Sequence, residues 1–100
     1  MNAMAALADP TRREIVEVLL AAPADAGTLA HMFPISRPAV SRHLRVLREA
    51  GVVRSEIVAQ RRIYHIESAP LKEIDAWMER YREFWTDRLD RLDAHLQKET

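Results

Sequence analysis

A mostly α fold with one small β-hairpin is what this 100-residue sequence predicts, and three observations carry that prediction. Residues 36–51, SRPAVSRHLRVLREAG, read as an amphipathic helix with Val40, Leu44 and Leu47 at i, i+4 and i+7. After Gly51 the period changes from helical to alternating, in the runs VVRSEIV and RRIYHIE. Beyond Pro70 an apolar residue then returns every third or fourth position, with no Gly or Pro through Lys98.

The elements follow in order. Asn2 to Ala8, rich in Ala and Met, reads as a short helix. Asp9 stands as an N-cap, with Pro10 at the first helical position and RREIVEVLLAA after it. Ile15, Leu19 and Ala22 form its apolar stripe, with Val16 and Leu20 beside them, and Pro23 stops it. A third helix begins at Asp25 or Thr28 and runs to Phe33, burying Leu29 and either Met32 or Phe33. Pro34-Ile35 makes a corner into the next helix, which Ser36 caps and Gly51 closes. Two helices joined by a few residues, the second with a polar outer face, make a helix-turn-helix over about residues 25–50.

The two alternating runs predict a hairpin over about residues 52–67, a wing, with its turn near Ala59-Gln60 and Arg61 and Arg62 at or near the tip. Tyr64 and Ile66 share its core face. The turn lacks the Asn-Gly or Gly that two-residue hairpins prefer. The whole is expected to form a single winged helix-turn-helix domain over residues 1–100.

The last helix, about residues 69–98, carries Ile74, Met78, Tyr81, Trp85, Leu89, Leu92 and Leu96 on one stripe. Such a helix is ~40 Å long, against a radius of gyration of ~13 Å for a domain this size. It cannot bury that stripe on its own domain, so a homodimer is expected. Ile74, Met78, Tyr81, Trp85, Leu89 and Leu92 form its interface, joined by the N-terminal helix.

A net charge of zero hides segregation. Residues 1–35 carry four acids and two bases, residues 36–62 seven arginines against Glu49 and Glu56, and residues 63–100 nine acids against six bases. A central block of net +5 suits a polyanion. With no cysteine, disulfides and thiolate metal sites are excluded. No run approaches the ~18 apolar residues of a membrane span. MNAMAALADP lacks the basic start and long apolar stretch of a secretory signal, so a cytoplasmic protein is expected. An enzyme is not: there is no glycine-rich phosphate cradle, and Ser41 and His43, two apart on a helix, do not face each other.

Pro38, Arg42 and Arg45 lie opposite the apolar stripe, and Arg37, Ser41 and Arg48 lie on its flank. A helix bearing arginines and a short hydroxyl suits the major groove of double-stranded DNA. Gln60, Arg61 and Arg62 are placed to reach phosphate or minor groove from the wing. Arg45 is assigned to phosphate; Arg48 and Arg54 are divided between phosphate and internal ion pairs. His43 is open between packing, a capping hydrogen bond and DNA. Arg13 is expected to pair with an acid, and His31 and His65 to hold surface or edge positions. Trp77, Tyr81, Phe84 and Trp85 are read as core and interface in preference to an effector pocket. The rival reading of the chain is a winged-helix module for dimerisation or protein contact, with little DNA binding.

ALADPTRREIVEVL at 6–19, PISRPAVSRHLRVLREAGVV at 34–53 and RRIYHI at 61–66 resemble the ArsR-type family of bacterial winged-helix repressors. The resemblance implies the order α-α-α-α-β-β-α, a dimer, and repression through operator binding. It also implies that Ser36, Arg37, Ser41 and Arg42 contact DNA while Val40, Leu44 and Leu47 form core. Metal-sensing relatives carry a Cys-x-Cys pair before the turn, where this chain has GTLAHMFP. Zinc-sensing relatives place Asp-x-His and a second ligand pair on the last helix. Here Asp93-Ala94-His95 stands without a second histidine, and His95 with Glu99 supplies only two ligands. No metal or cofactor is expected, and an effector, if there is one, is not named by the sequence.

Overall fold

The computed structural model describes residues 1–98. Its elements are α1 (Ala3–Ala6), α2 (Pro10–Ala21), α3 (Ala26–Ala30), α4 (Arg37–Glu49), β1 (Val53–Val58), β2 (Arg61–Ile66) and α5 (Ser68–Lys98). The order is the one expected.

The first four helices start in the same way. In each, an oxygen of the residue before the helix accepts the N–H three residues on, one of the donors that a helix start leaves without a partner. Asn2 Oδ1 accepts from Ala5 at 2.8 Å, Asp9 Oδ1 from Arg12 at 3.0 Å, Asp25 Oδ1 from Thr28 at 2.7 Å, and Ser36 Oγ from Ala39 at 3.2 Å. Gly51 ends α4 at φ 79°, in the left-handed region that favours glycine. Its N–H donates to the Arg48 carbonyl at 3.0 Å, and the Val52 N–H donates to that of Leu47 at 2.9 Å. Leu47 and Val52 are both fully buried, so the helix stop also delivers Val52 into the core.

That core comprises Ala6, Ile15, Val16, Leu19, Leu29, Val40, Leu44, Leu47, Val52, Val53 and Tyr64. All three stripe residues of α4 lie in it with no accessible surface. Two expectations, for α2 and for the end of α3, are corrected, and one open choice is decided. Leu20 and Ala22 are exposed, because α2 turns only its Ile15–Val16–Leu19 edge inward. Between Met32 and Phe33, it is Phe33 that packs against the core; Met32 is exposed. α3 closes at Ala30, three residues short of Phe33.

β1 and β2 pair antiparallel from Val53↔Ile66 to Val58↔Arg61. Ala59 and Gln60 join them with φ 48° and 68°, both left-handed. This is the conformation a tight two-residue hairpin needs, here adopted without Asn or Gly. A short third partner lies along β2. Ala24 and Tyr64 exchange both backbone hydrogen bonds, at 2.9 and 3.3 Å, so the segment before α3 is tied to the wing.

α5 has 31 residues and departs from the rest of the molecule. Its root, around Pro70 and Ile74, lies beside α1. Every described residue from 75 onward is exposed. The Cα radius of gyration is 18.3 Å and the longest axis 63 Å, against ~13 Å for the radius of a compact chain this long. Among the described residues, no helix is long and apolar enough to cross a membrane.

Candidate nucleic-acid interface

The polar face of α4 exists because its opposite face is consumed by the core. Pro38, Ser41, Arg42 and Arg45 are all exposed, as are Ser36 and Arg37 at the start of the helix. The two flanks are held by different neighbours. On one side, His43 Nδ1 lies 3.5 Å from Arg12 Nη1 on α2, so this histidine is half-buried against the protein. On the other, the Arg37 guanidinium lies along Gly27 on α3, where a Cβ would stand 3.7 Å from its Cζ.

The wing brings a second group of polar residues to the same place. Arg37, Gln60, Arg61 and Arg62 line one cleft of about 340 Å³ with Asp25, Ala26 and Tyr64. Ser41, Arg42 and Arg45 continue away from it along α4. Residues 23 to 25 positions apart in sequence thus form one basic surface around the start of α4.

The two wing arginines differ. Strand register places Arg62 on the same face as Ile57, Ser55 and Tyr64, and Arg61 on the other face with Val58, Ile63 and Glu56. Acids occupy that second face. Arg54 Nε pairs with Glu67 at 2.8 Å, which settles Arg54 as an internal ion pair, and His65 Nε2 lies 2.8 Å from Glu56 Oε1. Arg61 donates from Nε and Nη2 to Asp25 Oδ2, at 2.8 and 2.6 Å. Arg37, Arg42, Arg45, Arg48 and Arg62 make no ion pair among the described residues, and all five are exposed.

Asp25 was legible in the sequence as a helix start, but its part in the wing was not. Its carboxyl is held well below the usual carboxylate range, first by the hydroxyl and N–H of Thr28 and then by Arg61. Asp9 is lowered likewise, chiefly by the Arg12 N–H that it caps. Arg13 differs from expectation: its Nη1 donates to the carbonyls of Leu7 and Ala8 at 3.0 and 3.1 Å, closing the end of α1 where an acid had been expected.

The six expected interface residues lie on α5. Ile74 is half-buried at its root, whereas Met78, Tyr81, Trp85, Leu89 and Leu92 are exposed, Trp85 at 57 % and Leu89 at 61 %. Trp77 and Tyr81 meet in a tilted contact with ring centroids 4.9 Å apart, and Arg88 lies 4.3 Å over Phe84. Among the described residues, no three His, Cys, Asp or Glu side chains are grouped to hold a metal. Asp93 accepts from Gln97 at 3.3 Å; Glu99, weighed above as a partner of His95, lies outside the described residues.

Known proteins resemble this chain in sequence and in fold. The profile of the bacterial regulatory protein arsR family matches residues 9–55. The HTH-type transcriptional regulator Rv2034 of Mycobacterium tuberculosis H37Rv is 44 % identical over 88 residues, covering 88 % of this chain and 79 % of its own length. The transcriptional repressor SdpR of Bacillus subtilis 168 is 35 % identical over 77 residues, 77 % of this chain and 86 % of its own. A solved structure described as a possible transcriptional regulator for arsenical resistance superposes with a TM-score of 0.77 at 38 % identity, covering 94 % of this chain and 95 % of that one.

Proposed function

The chain belongs to the arsR family of bacterial regulatory proteins, a DNA-binding transcription regulator and not an enzyme, and on that premise we propose that it is a homodimeric repressor of an inverted-repeat operator. One observation carries the DNA surface. The exposed arginines of α4 that lack ion pairs adjoin a cleft shared by Arg37, Gln60 and Arg62, so helix and wing offer one continuous basic surface. In this reading α4 enters the major groove of a half-site. Ser36, Arg37, Pro38, Ser41 and Arg42 reach base edges or the adjoining backbone, Arg45 takes a phosphate, and Gln60 and Arg62 grip the flank. Repression is supported by the SdpR relative, a transcriptional repressor.

The dimer is supported by the bare stripe on α5. Met78, Tyr81, Trp85, Leu89 and Leu92 repeat every three or four residues and are all exposed, as expected of a helix built to pair with its copy. Two-fold symmetry then sets the half-sites about one helical turn apart, ~10 bp. No metal or effector enters this reading.

Selection of bound sequences from random duplexes, followed by a salt titration on the winners, tests it. An inverted repeat and a steep log–log dependence of affinity on salt are expected. No binding even at low salt would instead favour a module for protein contact.

A further inference from the structure

We propose that Asp25 is a positioning residue for the wing: acting through Arg61, it fixes the angle at which Gln60 and Arg62 meet DNA. The proposal rests on the reading of α4 and the wing as the DNA surface. It assigns Arg61, a residue whose charge and place invite a phosphate contact, to the protein itself.

A two-stranded hairpin is marginally stable alone, so its orientation comes from what holds it. Ala24 and Tyr64 supply one pair of backbone hydrogen bonds at the middle of β2. With Val53 and Tyr64 in the core this anchors the base of the hairpin. The exposed residues 56–62 beyond it can still swing about the line the two bonds share, as on a hinge. The Asp25–Arg61 pair removes that freedom. It lies one residue further along on the α3 side and three residues nearer the tip on the β2 side, away from the hinge line.

Asp25 suits this task. Its Oδ1 is already committed to the Thr28 N–H at 2.7 Å, so the carboxylate is oriented before the arginine arrives. Oδ2 then takes both Nε and Nη2 of Arg61. An exposed ion pair is usually worth little because two mobile chains must be ordered. Here one partner is fixed by the cap it makes, and its side chain is only 22 % exposed. The same short helix carries Gly27 against Arg37, so α3 stands between the wing and the start of α4.

Asp25→Asn separates the two duties, since asparagine caps a helix as well as aspartate but offers no carboxylate to Arg61. The variants D25N, R61Q and the double mutant are titrated with two labelled duplexes, one recovered by selection and one of random sequence, over a range of salt. Thermal unfolding checks that each variant folds; R61Q alters only an exposed side chain. D25N and R61Q are each expected to lower the preference for the selected duplex three- to tenfold, with the salt slope unchanged. The double mutant is expected to lose no more than either single one. Tighter binding of both duplexes by D25N with a steeper slope would overturn the proposal, because Arg61 would then be a phosphate ligand held in reserve. So would a slope flattened by about 0.9 in R61Q alone, the mark of one lost phosphate contact, or an unchanged preference in both variants. A wild-type protein that bound neither duplex would overturn the DNA reading itself, and this role with it.

Discussion

Arg12 Nε donates to the carbonyl oxygen of Ala6 at 2.6 Å, which fixes the end of α1 to the start of α2. Ala6 is fully buried and the Arg12 side chain is only 14 % exposed, so the carbonyl has little access to water in its place. Hydrogen bonds from charged donors are worth about 1.5–3 kcal/mol, and an abandoned buried acceptor adds to the loss. Arg12→Ala should therefore destabilise the fold by about 2 kcal/mol in urea unfolding. Arg13→Ala, whose two carbonyl contacts are exposed, should cost less. Equal effects would show that burial of the Ala6 carbonyl is not the cause.

Arg42 is expected to act in recognition. It is exposed, makes no ion pair among the described residues, and lies opposite the buried Leu44 and Leu47 edge. Arg42→Ala should leave the unfolding midpoint in place and weaken binding to the selected operator by ~1–3 kcal/mol, with relaxed preference at one base position. An equal loss on selected and random duplexes would mark it as a phosphate anchor.

Trp85 is expected to act in assembly. Trp85→Asp should yield a folded monomer by sedimentation equilibrium, since in one chain the side chain is largely exposed and lies outside the core. Operator affinity and the concentration dependence of the unfolding temperature should both fall. A variant that stayed dimeric would remove this stretch of α5 from the interface.

The hairpin turn carries strain that substitution should relieve. Ala59 sits at φ 48°, a left-handed position costing an L-residue other than Asn or Gly about 1–2 kcal/mol. Ala59→Asn should raise stability by about 0.5 kcal/mol, read as a higher urea midpoint at constant m-value. A lower midpoint would argue against this turn.

Asp25 also predicts an acid limb. Its folded-state pKa lies below the ordinary aspartate value of 3.8, so its contribution is complete above about pH 4 and is withdrawn as pH falls through the lower folded value. The stability difference between wild type and D25N should be constant near neutrality and shrink on acidification below about pH 4. A difference that grew in acid would have the wrong sign for a stabilised carboxylate.

The caps explain why so much of the fold was legible. Asp9 and Ser36 act within four residues of themselves, and Gly51 stops α4 by its own φ, so short-range chemistry marks these boundaries. Val40, Leu44 and Leu47 were equally plain, because a helical period names the buried face without naming the partner. Leu20 and Ala22 were misjudged for that last reason. Which edge of a stripe is covered depends on the angle of the neighbouring element, and spacing carries no angle.

The wing divides along the same line. Alternation located β1 and β2, and the basic residues named their surface. Adjacency in a strand puts Arg61 and Arg62 on opposite faces, but only the folded chain decided what each face meets, since the partner of Arg61 lies 36 residues away. The sequence by itself determined the elements, the basic face of α4 and the apolar stripe of α5, because each follows from periodicity or local hydrogen bonding. Tertiary structure decided the Ala24–Tyr64 strand, the duty of Arg61 and the gathering of Arg37 with the wing tip. Those depend on distances between segments remote in sequence, which are fixed only when the core closes.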